Sequence, residues 1–216
     1  MNGCPKQGNE VTMTSTVKGE DGKARCFWCS ATPEYIDYHD NEWGYPVDDD
    51  IRLFEKLTLE SFQSGLSWRT ILAKRDNFRK AFKHFDFKKV AKFTEKDVER
   101  LLQDEGIVRH RGKIEAAINN AKQACEMVKQ EGSLAAFFWQ FEPSVADLPE
   151  PQTVSITDQS VLLSKTLKKR GWKFVGPTTV YAFMQAAGLV NDHAEGCVFR
   201  KKVAQVRKQF KSPASF

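Results

Sequence analysis

Two cysteines and two histidines divide between the ends of this 216-residue chain: Cys26 and His39 near the start, His193 and Cys197 near the end. Two thiolates and two imidazoles are the donor set that a tetrahedral structural Zn²⁺ prefers. His193 and Cys197 are four residues apart, so a helical turn would aim both side chains at one ion. Such a site would tie the termini together around whatever lies between. Spacing alone leaves Cys29 as an alternative to Cys26. The pair Cys26 and Cys29 also has the C-x-x-C spacing of a redox motif, but the strand and helix that motif requires around it are not visible.

Around His39 the aromatic density is high, with Phe27, Trp28, Tyr35, Tyr38, Trp43 and Tyr45 close together. Aromatic faces are the usual platform for an unstacked nucleobase, although any one ring serves equally well in a core. Glu60 falls inside the apolar pattern of its helix, where an unpaired carboxylate is costly. It must be near water, paired, or placed for a ligand; an exposed helix glutamate is the plainer alternative. The basic segment from Gly106 to Gly112 lies between two amphipathic stretches. Such a hairpin can offer backbone N–H groups to a DNA phosphate, with Arg109, Arg111 and Lys113 adding charge, or it can be an ordinary helix–helix turn. Nothing nearby would lower the pKa of Lys113 for Schiff-base chemistry.

The elements that must position these residues read as helices. Leu53, Phe54 and Leu57 recur at helical spacing behind Asp48-Asp49-Asp50, an acidic start that suits a helix N-terminus. Ile71, Leu72, Phe78, Phe82 and Phe85 form a second apolar stripe. Thr94 to Asp97 reads as a capping sequence for the helix with Val98, Leu101 and Leu102. Further helices carry Ile114 to Cys125 and Val161 to Lys169, and Pro177 suits the first turn of another that stops near Gly188. No run alternates with period two, so the expected class is all-α. Residues 1–24 read as a disordered extension, 25–199 as one helical domain, and 200–216 as a basic tail.

With 41% hydrophobic and 28% charged residues, the composition is that of an ordinary globular chain. No apolar run approaches the roughly 20 residues that span a bilayer, and the first 25 residues lack a signal-peptide core. Five cysteines, an odd number, argue against a disulfide framework and for a reducing compartment. The expected location is cytoplasmic. The net charge of +5 is concentrated after Glu195, where Arg200, Lys201, Lys202, Arg207, Lys208 and Lys211 have no acidic counterpart. A tail of that kind suits a polyanion, or it simply aids solubility.

Taken together, these stretches resemble the DNA-3-methyladenine glycosylase I family. The resemblance rests on Arg25 to Trp28, Tyr35-Ile36-Asp37-Tyr38-His39-Asp40-Asn41-Glu42-Trp43-Gly44, Leu59-Glu60 with Gly65-Leu66-Ser67-Trp68, Gly106 to Lys113, Lys168 to Gly171, and Phe183 through Cys197. It covers about residues 25–199 and implies a helix-hairpin-helix glycosylase fold, with a structural zinc site joining the N- and C-terminal segments. It further implies that one Zn²⁺ is held by Cys26, His39, His193 and Cys197. Glu60 would accept hydrogen bonds from an extruded base, and Trp28, Tyr35, Tyr38 and Trp68 would enclose it. The turn at Gly65 and Leu66 would insert into the duplex, with Gln63 beside it. Ser61 and Phe62 depart from the family pattern, which bears on contacts near that wedge, and Cys29 has no counterpart. Relatives in the wider superfamily use an aspartate after the hairpin; Asp192 is the candidate here, but its place beside His193 favours a role at the zinc site. The implied activity is monofunctional excision of 3-methyladenine from alkylated double-stranded DNA, by a monomer, leaving an abasic site.

Overall fold

The computed structural model describes residues 15–213. The expected disordered extension therefore falls largely outside the described residues. Its described part is ordered, in an antiparallel hairpin of β1 (Thr16–Lys18) and β2 (Ala24–Cys26), with Thr16 opposite Cys26. Three-residue strands are too short to show an alternating pattern, so the all-α expectation missed them. Among the described residues every regular element after the hairpin is a helix, in keeping with that expectation.

Helix α1 (Pro33–Asn41) starts on Thr32, whose hydroxyl accepts from Tyr35 N–H, with Pro33 in the first turn. Helix α2 (Asp50–Gln63) starts on Asp49, whose carboxylate accepts from Arg52 N–H at 2.8 Å. All ten residues from Leu53 to Phe62 are buried, so α2 is the central helix and its polar side chains must find partners. Glu55 pairs with Arg52 and Arg79, Lys56 donates to Glu42 at 2.8 Å, and Ser61 donates to the Leu57 and Phe174 carbonyls. Glu60 has no such partner among the described residues.

The expected second stripe is split at Lys74 into α3 (Trp68–Ala73) and α4 (Arg75–Ala81), followed by the short α5 (Phe87–Val90). Helix α6 (Glu95–Leu102) carries the expected capping box, in which Asp97 accepts from Thr94 N–H at 2.9 Å. The 21-residue α7 (Arg111–Glu131) and the short α8 (Leu134–Phe138) follow. Next come α9 (Asp158–Lys169) and α10 (Pro177–Ala186), which begins on Pro177 as anticipated. One core joins α2, α7, α8 and α10 through Phe54, Ile114, Phe138 and Met184.

The basic segment is no free tail as far as Gln209. It forms α11 (Val198–Gln209), with Phe199 and Val203 buried. Phe210 packs on Trp139 with ring centroids 4.5 Å apart, and Arg207 donates to the Leu189 carbonyl. The charges mask a sparse apolar stripe, which is why composition suggested a tail. Among the described residues no helix is long and apolar enough to cross a membrane.

Candidate active site and metal centre

A cavity of about 340 Å³ opens between α1, α2, the start of α3 and α10, and Trp28, Tyr35, Tyr38, Glu60 and Trp68 all line it. The four rings stand along it as two pairs. Trp28 meets Tyr35 at 5.0 Å between centroids, and Tyr38 meets Trp68 at 5.3 Å, separations typical of tilted aromatic pairs. Tyr35 and Tyr38 are three apart on α1 and so share a face. Trp68 opens α3 on its Ser67 cap, whose hydroxyl accepts from Thr70 N–H at 3.2 Å.

Glu60 is 5% exposed. Burial pushes its carboxyl up to about 8, against the opposing pull of the Lys56 ammonium. Beneath Tyr38 lies a charged layer that sequence reasoning missed. Lys56 Nζ and the Arg75 guanidinium lie 5.7 and 5.9 Å from the Tyr38 ring centroid, and both are held by Glu42 at 2.8 and 2.6 Å. Those cations keep the Glu42 carboxyl down at about 2 despite its burial. No sequence pattern joins residues so far apart.

After α2 the chain turns sharply. Leu66 N–H donates to the Gln63 carbonyl at 2.6 Å, and Gly65 takes φ +80°, a conformation glycine adopts without strain. Leu66 is 43% exposed at this turn, and Gln63 lines the cavity edge. Lys113, expected as a surface charge, points inward. Its Nζ donates to the Phe62 carbonyl at 2.9 Å and to the Ser64 carbonyl, capping the C-terminal end of α2. Arg109 and Arg111 remain exposed, Arg109 near Glu105 and Arg111 among Glu95, Glu99 and Glu115.

At the back of the aromatic wall the segment from Cys26 to His39 meets the one from His193 to Cys197. The donor atoms of Cys26, His39 and Cys197 lie within 4.8 Å of one another, all buried. Cys197 Sγ is 3.6 Å from His39 Nε2. His39 Nδ1 is 2.8 Å from Asp40, which the Arg25 guanidinium grips at 2.8 to 3.0 Å. That outer contact turns Nε2 toward the thiols, the arrangement usual for a metal-bound imidazole. His193 lies beside them, its ring centroid 4.9 Å from that of His39. Its Nδ1 is 2.9 Å from Asn191 Oδ1, and its buried Nε2 has no hydrogen-bond partner. An orphaned imidazole nitrogen next to two cysteines and a second histidine fits a soft, tetrahedral metal such as zinc. The expected helical turn between His193 and Cys197 is instead a tight turn, with Gly196 at φ +84° and Cys197 N–H donating to the Ala194 carbonyl at 3.0 Å. Cys29 is buried, with its Sγ 3.1 Å from the Cys26 carbonyl.

Asp192 departs from its expected role. His193 takes its outer contact from Asn191, whereas Asp192 lines the cavity and accepts from Gln152 N–H at 3.0 Å and Gln185 Nε2 at 2.6 Å. It belongs to a second cavity wall built by α10, where Thr178, Tyr181, Ala182 and Gln185 share one face. That i, i+3, i+4, i+7 spacing was legible in the sequence, but nothing marked it as a wall rather than core.

The methyladenine glycosylase family model matches residues 28–201. The chain is 52% identical over 177 residues to the DNA-3-methyladenine glycosylase 1 of Escherichia coli K12, covering 80% of this chain and 95% of that protein. A crystal structure of a 3-methyladenine DNA glycosylase I superposes with a TM-score of 0.74 at 50% identity, covering 81% of this chain and 98% of that one. A tyrosine variant of a 3-methyladenine DNA glycosylase I, solved in complex with 3-methyladenine, superposes with a TM-score of 0.76 at 38% identity, covering 82% and 97%. Likeness of this extent runs from Trp28 through the aromatic wall and the helices behind it, and by it the chain belongs to the methyladenine glycosylase family.

Proposed function

We propose that the protein excises 3-methyladenine from alkylated double-stranded DNA by hydrolysing the N-glycosidic bond, acts as a monomer in the cytoplasm, and leaves an abasic site. The observation that carries this reading is Glu60, a buried carboxylate without a protein partner among the described residues, in a cavity with four aromatic rings along its wall. A module that only bound distorted DNA would have no use for it. A methyl group on N3 leaves the nucleobase cationic and its glycosidic bond weak, so the leaving group needs no protonation. What the protein must do is take the base out of the stack and hold it. The rings of Tyr38 and Trp68 present π faces to a cation, and the ionised Glu60 accepts from the exocyclic amine. Leu66, exposed on its glycine turn, suits the gap the base leaves, as apolar wedges do elsewhere. Arg109 and Arg111 are held only by exposed ion pairs, which are weak, so DNA phosphates can displace the carboxylates.

Neither Lys56 nor Lys113 lines the cavity, and both ammonium groups are engaged. This supports monofunctional hydrolysis without a Schiff base. We read the cluster of Cys26, His39, His193 and Cys197 as a structural Zn²⁺ site, one ion per chain, with all four positions taken by protein. Bound there, the ion would hold the chain termini and the back of the cage; the chemistry at the base belongs to the cavity.

The test is incubation with methylated duplex DNA and detection of the free base. Wild type should release 3-methyladenine, while Glu60→Ala and Trp68→Ala should not do so at a comparable rate. Binding of methylated DNA with no release by wild type would leave only the DNA-binding module.

A further inference from the structure

The connection between α8 and α9 supplies part of the cavity lining, through Gln152, Val154 and Ser155. All three are exposed, whereas Glu60 and Tyr38 are buried, so they line its mouth and not its floor. The segment is held at both ends. Gln152 N–H donates to Asp192 Oδ1 at 3.0 Å and Gln152 Nε2 to the Asp192 carbonyl at 3.2 Å. Gln152 itself sits at φ +60°, a left-handed conformation that costs a glutamine energy. At the far end, Thr157 begins α9 in a reciprocal capping pair with Ser160. Between these anchors the backbones of Val154, Ser155 and Ile156 form no hydrogen bond with other described residues.

An extruded base does not enter such a cavity as a free molecule. Until its glycosidic bond breaks it stays joined through its deoxyribose to two phosphates of the strand, so the sugar has to lie across the mouth. The cavity, at about 340 Å³, is larger than a purine ring system alone. Val154 is 39% exposed. A single exposed valine is ordinary on a protein surface. One fixed on the rim of this cavity offers its methyl groups where the C–H-rich face of a deoxyribose must pass.

We propose that Val154 packs against the deoxyribose of the extruded nucleotide, which makes the segment from Gln152 to Ser155 a sugar-recognising lip of the cavity. This rests on the glycosylase reading of that cavity. It divides the work between floor and mouth. Glu60 and the rings hold the base whether or not it is still attached, whereas Val154 acts only on a base that keeps its sugar. The lip therefore favours the substrate over the released product.

The experiment compares wild type with Val154→Ser on free 3-methyladenine and on methylated duplex DNA. Binding of the free base is followed by tryptophan fluorescence, and kcat/KM on the duplex by release of the base. Val145→Ser is the control, since Val145 is the 87% exposed valine of the same connection and does not line the cavity. Val154→Ser should bind the free base as wild type does and lose about tenfold in kcat/KM on the duplex, the size expected for an apolar contact of part of one valine. The salt dependence of duplex binding should not change, because no charge is lost. Val145→Ser should match wild type in both assays. Full kcat/KM in Val154→Ser, beside an active wild type, overturns the proposal. So does an equal loss on free base and duplex, which would make Val154 part of the base-binding wall, and so does an equal loss in Val145→Ser. A wild type that neither binds the base nor releases it from methylated DNA overturns the glycosylase reading, and this proposal with it.

Discussion

Glu60 is a strongly perturbed carboxyl of the cavity, and the cause is its burial. With its carboxyl at about 8 in the free protein, the acceptor form is the minor one at neutral pH. Since kcat/KM reports groups of the free enzyme, kcat/KM for 3-methyladenine release should rise with pH toward about 8. That limb should be missing from the residual activity of Glu60→Gln; an identical profile in the two proteins would remove Glu60 from recognition. The same shift has a consequence for stability. The folded-state value lies above the unfolded one, so between about pH 4.5 and 8 the unfolded chain has lost a proton that the folded chain keeps. Wild type therefore loses stability as pH rises through that window and reaches a plateau above it. Glu60→Gln carries no such slope. It should melt higher than wild type at pH 8, by about 1–3 kcal/mol or several degrees, with a smaller gap at pH 5. Thermal melts at the two pH values check the sign.

Among the elements, the end of α2 and the turn after it form one unit. Lys113 reaches from α7 to the carbonyls of Phe62 and Ser64, so a side chain from the basic segment braces the turn that carries Leu66. Lys113→Met should lower stability by about 1–3 kcal/mol, because buried carbonyls lose their donor, and should weaken excision from duplex DNA. It should leave the salt dependence of DNA binding unchanged, since an internal ammonium releases no counterions. Arg109→Gln together with Arg111→Gln should instead flatten that dependence. Binding isotherms at several salt concentrations separate the two cases.

The elements also show where the sequence was legible. Helices α2, α6, α7, α9 and α10 follow from apolar spacing and caps at Asp49, Thr94 and Pro177, all local signals. The β-hairpin was too short to show a period, and α11 was hidden by its charge. Of the cavity, the rings clustered near His39 and the misfit Glu60 announced themselves. The layer of Glu42, Lys56 and Arg75 under Tyr38 did not, because those residues meet only after three separate segments pack together. Nor did the inward turn of Lys113, which depends on a contact across 51 positions.

At the scale of the whole molecule, the two ends of the folded chain share one centre. Cys197→Ala should lower the melting temperature and zinc content before it alters excision measured well below the melting point. Lost excision with melting and metal content unchanged would refute a purely structural role. Phe210 and Arg207 fasten α11 independently of the cysteines, so cutting the chain after Phe199 would also remove the buried Val203. A cleaner test of the basic surface is to neutralise Lys201, Lys202, Lys208 and Lys211 together. If that face meets DNA, affinity should fall and its salt dependence should flatten, while the melting temperature holds.

The cluster at Cys26, His39 and Cys197 also carries a consequence for synthesis. Trp28, Tyr35 and Tyr38 leave the ribosome well before His193 and Cys197, which meet the segment bearing them. A nascent copy that has not yet reached Cys197 therefore has the cavity rings without their frame, and the cavity closes only once that residue has been added.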